Sequence, residues 1–94
     1  MKIVIYVRQT DKISIYEQYN KCADYCRLHG YSISGKVLDF DGKHFHDAIN
    51  KVIADSNIAA LMIYGKDLVF SKYDDYLFYK IYLEKLGKTI LFYN

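Results

Sequence analysis

No stretch of this chain reaches the roughly 18 uninterrupted apolar residues of a membrane-spanning helix, so a helical membrane anchor is excluded. An excess of charge of one sign is lacking as well. Thirteen Lys and Arg against 11 Asp and Glu leave a net +2 with no concentrated basic patch, and composition alone does not mark a nucleic-acid binder. There is no Gly-x-Gly-x-x-Gly run and no P-loop, which removes the usual phosphate cradles and leaves no cofactor to expect. Structural zinc needs four ligands. Cys22, Cys26 and His29 share one helical face, but a second cysteine cluster is missing and only His44 and His46 could complete the set, so no metal is expected. The two cysteines read as small hydrophobes on an apolar stripe. Proline and tryptophan are absent, while tyrosine occurs 11 times. Tyrosine buries its ring and keeps its hydroxyl at a wet boundary, which suits interfaces; a biased genomic composition gives the same count.

What is present is one domain's worth of alternating elements over 1–94, with no linker, repeat or low-complexity stretch. The run Ile3 to Val7 reads as a buried strand whose C-terminal mouth carries Arg8 and Thr10, the place where α/β proteins keep chemistry. Ser14 and Glu17 form a capping-box pattern that starts a first helix; Ile15, Tyr19, Cys22 and Cys26 recur at helical spacing until Gly30 stops it. Residues 31–40 alternate as an edge strand, and Phe45, Ala48, Ile49, Val52 and Ile53 mark a second amphipathic helix. The short apolar run 58–64 suits a central parallel strand, a loop follows over 65–71, a long helix runs from about Tyr73 to Leu86, and 89–93 is a fourth strand. With right-handed crossovers the reading is a three-layer α/β, flavodoxin/resolvase-like domain, a four-stranded parallel sheet in the order 2-1-3-4 with three helices. Asp39, Asp41 and Gly42 near the mouth could serve a phosphate or metal site of such a fold.

Three segments in order resemble the catalytic domain of serine recombinases, the resolvase and invertase family. Tyr6 to Thr10 (YVRQT) is similar to that family's Tyr-x-Arg-x-Ser, 14–31 to its first helix and turn, and IYGKDL at 63–68 to the strand ending in Asp-Arg-Leu-Ser-Arg. The resemblance spans nearly the whole chain. It implies a serine hydroxyl attacking a DNA phosphodiester inside a clamp of arginines that stabilises the developing charge. By that resemblance Arg8 matches the first arginine, Thr10 stands at the serine position and Asp67 matches the aspartate of the third motif. The chain departs from the pattern beyond these points. Leu68 and Ser71 occupy the two arginine positions after Asp67, and only Lys43 lies near the arginine expected before the second helix. Each lost donor costs about 2.7 to 4 kcal/mol, so three remove on the order of 8 kcal/mol, about a million-fold in rate. Arg8, Thr10 and Asp67 are then vestigial, with Asp67 expected to cap the loop that follows it.

The long helix is apolar over more than one arc. Tyr76, Tyr79, Tyr82, Leu83 and Leu86 are expected to cover the sheet, leaving Tyr73, Leu77, Phe78 and Ile81 for a second contact. Two covers are open for that second arc: another chain, or the segment 65–71 folding over it. The resulting expectation is a cytoplasmic, catalytically inactive recombinase-like module of a phage or other mobile element that binds a protein partner, itself or a regulator, for example in lysogeny control. It would not bind nucleic acid on its own. The alternative is residual or partner-dependent recombination with Thr10 as nucleophile.

Overall fold

The computed structural model describes all residues 1–94. Strands β1 (Lys2–Arg8), β2 (Ser32–Asp39), β3 (Ile58–Ile63) and β4 (Thr89–Phe92) alternate with helices α1 (Ile15–Leu28), α2 (Phe45–Ala54), α3 (Lys66–Val69) and α4 (Tyr73–Lys85). All pairings are parallel and the order is β2-β1-β3-β4, as expected from the sequence. No helix is long and apolar enough to cross a membrane.

The side-chain alternation of β1 divides the core into two layers. Ile3, Ile5 and Val7 face α1, where Ile15, Cys22, Ala23 and Cys26 meet them together with Ala60 and Met62 of β3. Val4 and Tyr6 face the opposite way, toward Phe45, Ala48, Ile49 and Val52 of α2 and Leu83 of α4. β1 and β3 are therefore covered on both faces, which is why their sequences are apolar throughout. β2 is a border strand. Its alternation leaves Ser32, Ser34 and Lys36 exposed, and its register with β1 slips once, between Ile3 and Val4.

α1 starts as the capping pattern predicts, with Ser14 Oγ accepting from the Glu17 amide at 3.1 Å. The reciprocal half is not made; the Glu17 carboxylate lies 3.8 Å from the Lys21 ammonium instead. Gly30, Gly42 and Gly87 adopt φ between 72° and 76°, a region open to glycine at little cost, and Gly30 and Gly87 end α1 and α4 by it.

Two expectations need correction. The segment after β3 is not all loop: Lys66–Val69 forms one helical turn, making four helices rather than three. Four residues are too few to show a hydrophobic period, so the turn leaves no trace in the pattern. The sheet-facing arc of α4 is also narrower than expected. Leu83 is fully buried and Tyr76 and Tyr79 pack on the core, but Tyr82 and Leu86 are 42% and 46% exposed. The cause is position, because α4 lies over the short edge strand β4, which offers less surface than a central strand.

Candidate functional site

The C-terminal mouth of β1 and β2 is organised by one carboxylate. Asp39 is the register partner of Arg8, and its side chain is fully buried. Asp39 Oδ1 accepts from the amides of Gly42 at 2.8 Å and Lys43 at 3.1 Å, while Oδ2 accepts from the His44 amide at 2.9 Å and from the Tyr6 hydroxyl. A carboxylate offers about four acceptor sites, and all are used. Burial alone would push the Asp39 pKa up, but the bonds from Tyr6 and from the His44 and Gly42 amides outweigh it and hold the group below the ordinary carboxylate value. Burial, and then the bond to Asp39, pushes the Tyr6 phenol well above the usual tyrosine range.

Arg8 closes the cluster. Its Nε donates to the Tyr6 oxygen at 2.9 Å and lies 3.9 Å from Asp39 Oδ2, and its Nη1 donates to the Leu68 carbonyl at 3.3 Å. The remaining guanidinium donors have no protein partner. Beneath the strand end, Gln18 of α1 is fully buried: its Nε2 donates to the Arg8 carbonyl at 2.7 Å and its Oε1 accepts from the Arg8 amide at 3.3 Å. Arg8 also lines an open cavity of about 370 Å³ with Lys43, His46, Phe70, Asp75 and Tyr79.

The three residues implied by the resemblance have separate surroundings. Thr10 is absorbed by its own loop, where its hydroxyl accepts from the Lys12 and Ile13 amides and donates to the Ile13 carbonyl, each at 3.3 Å. Asp67 is exposed on α3 and lines a separate cavity with Lys66 and Asn94. It caps nothing, since Gly65 stands at the cap position and no side chain bonds there. Leu68 is half-buried against the α1 layer and Ser71 is exposed. Arg8 and Arg27 are the only arginines in the chain, and Arg27 sits in the last turn of α1, bonded to Asp24.

The cysteines and the histidines separate. Cys22 and Cys26 are buried, with the Cys26 thiol 3.7 Å from the Met62 sulfur and the Cys22 thiol pushed up to about 12 by burial and by Cys26, whereas exposed His29 turns to the Tyr25 carbonyl. His44 sits between Asp41 at 3.3 Å and Asp47 at 2.8 Å. Asp39, Asp41 and His44 do bring ligand atoms within 4.8 Å of one another, yet the Asp39 oxygens are already filled by protein donors. On the outer arc of α4, Tyr73, Phe78 and Ile81 are exposed and Leu77 is half-buried. The segment 65–71 reaches it at Tyr73, through Lys66, and otherwise packs on the inner arc. Phe70 packs on Tyr76 and Tyr79 of the inner arc, and the Lys66 ammonium lies over the Tyr73 and Tyr76 rings.

Sequence reasoning missed Gln18 and placed Asp39 at the mouth only as a possible phosphate or metal ligand. Gln18 hides as a polar position on an apolar stripe, and Asp39 carries no signal that separates a structural hub from a ligand.

The whole chain superposes on the N-terminal catalytic domain of TP901-1 integrase with a TM-score of 0.79 at 24% identity, covering 100% of this chain and 78% of that one. The fold is that of a serine recombinase catalytic domain. The C-terminal catalytic domain of ISC1926 TnpA, an IS607-like serine recombinase, agrees at a TM-score of 0.73 and 20% identity over 99% of this chain and 69% of that one. No family model and no curated protein matches the sequence. Within this fold Arg8 stands at the mouth, tied to Tyr6, Asp39 and the α3 backbone.

Proposed function

We propose that this domain carries the serine recombinase fold without its strand-transfer chemistry and acts by binding another protein chain. The observation that supports the reading is the single guanidinium at the mouth. Arg8 is committed to Tyr6 and to the Leu68 carbonyl, and no second arginine approaches it. A clamp for a pentavalent phosphate needs several preorganised charges, and lysine does not replace a bidentate guanidinium. The Thr10 hydroxyl, bonded only to backbone groups of its own loop, has no base beside it. The binding surface is the outer arc of α4, with Tyr73, Leu77, Phe78 and Ile81. The resemblance implies a phage or other mobile element as the setting, so the partner belongs to regulation there, lysogeny control being one case.

Incubation with supercoiled DNA followed by denaturation and mass analysis tests the reading. No protein-DNA adduct is expected, and an adduct on Thr10 overturns it. The second reading is a recombinase completed by a partner that supplies arginines, favoured by the catalytic-domain neighbours and by the unpartnered donors of Arg8. Thr10 Oγ would then displace the sugar oxygen from a DNA phosphodiester, with the hydroxyl proton passing through solvent to the leaving oxygen. An adduct formed only in the presence of that partner would establish it.

A further inference from the structure

The outer face of α4 carries a pattern that its length and composition do not require. At about 100° per residue, Asp74, Phe78, Ile81 and Lys85 fall on one narrow stripe, opposite the buried Leu83. Phe78 is 64% exposed and Ile81 50% exposed. Leu77 flanks the stripe on one side and Tyr82 on the other. Asp74 and Lys85 are exposed, and neither forms an ion pair within the chain; the pair that α4 does make, Lys80 with Glu84 at 2.7 Å, lies off the stripe.

The stripe is self-complementary when reversed. We infer that α4 pairs antiparallel with α4 of a second copy about a two-fold axis between Tyr79 and Lys80. That axis sets Phe78 opposite Ile81 of the other copy and Asp74 opposite its Lys85, each contact occurring twice as in any isologous interface. Antiparallel packing also sets the two helix dipoles head to tail. The apolar middle supplies the attraction and the charged ends supply the register: a parallel arrangement brings Asp74 against Asp74 and Lys85 against Lys85. A stripe of roughly 16 Å makes a small interface, so the dimer is weak and reversible. This inference rests on the proposed binding role of α4 and names its partner.

Sedimentation velocity on the full chain over a concentration series tests it. The wild type is expected to pass from monomer to dimer. Asp74→Lys and Lys85→Asp each replace two attractions by two repulsions and should raise the dimer dissociation constant about tenfold or more. The double variant should recover dimerisation, and an equimolar mixture of the two single variants should form a heterodimer. Circular dichroism confirms that each exposed-site variant stays folded. A wild type that stays monomeric throughout, a double variant that fails to recover, or single variants that do not pair on mixing would each overturn the inference. A monomer that instead binds a different protein through Phe78 also overturns it while leaving the binding role intact. Failure of the broader reading shows separately, as the DNA adduct on Thr10.

Discussion

Tyr6 donates its hydroxyl proton to Asp39 while accepting from Arg8 Nε at 2.9 Å, so one phenol links the end of β1 to the end of β2. Its ring meanwhile packs edge-on against Phe45 at 5.2 Å, which fixes the start of α2 to the same point. The mouth is thus a hydrogen-bond network that holds one edge of the Arg8 guanidinium and leaves its other donors facing outward.

Asp39→Asn should destabilise the fold by about 3 kcal/mol, because an amide offers donors to amides that are themselves donors and Arg8 loses its counter-charge. The folded-state pKa of Asp39 is lowered. Its contribution is therefore fully present above the unfolded carboxylate value near pH 4 and is lost as pH falls through the folded value. Urea unfolding at a series of pH values should show a shallower acid limb for the variant than for the wild type.

Gly42→Ala should cost about 1 to 2 kcal/mol. The residue has φ 76°, and an added Cβ would meet Arg8 Cδ at an ordinary 3.9 Å, so the penalty is backbone strain rather than a clash. Gly42→Asn should cost less, since asparagine tolerates that region, and chemical denaturation of the two variants separates these outcomes.

Leu83→Ala should cost about 2 to 5 kcal/mol, because Leu83 is the fully buried anchor of α4. Phe78→Ala on the outer arc should fall within about 0.5 kcal/mol in dilute monomer. A denaturant midpoint for each, measured at low protein concentration, checks the contrast.

His44 should titrate above the ordinary histidine range, raised by its bond to Asp47 and then by the charge of Asp41. Because the folded value is raised, the charged pairing holds below the unfolded pKa and is lost as pH rises through the folded one. Proton NMR titration should move the His44 midpoint down in Asp47→Asn.

The sheet order and the two helices flanking β2 were legible because β1, β3 and α2 carry clear apolar patterns whose simplest layering is the one observed. The same patterns located Arg8 at the mouth. They did not reveal α3, whose single turn has no period, nor the burial of Gln18, whose amide is inside only because it bonds both backbone groups of Arg8. Nor did they separate the arcs of α4 fully. Its tyrosines and leucines surround the helix, and which of them are covered depends on how little surface β4 presents.

The borders of the sheet bear on how copies of this domain can meet. Along one border β2 presents Ser32, Ser34 and Lys36, and along the other β4 is only four residues long. Brief or charged margins of this kind are poor templates for an incoming strand. An incoming strand therefore finds little to pair with along β4, and along β2 it has to accommodate the charge of Lys36.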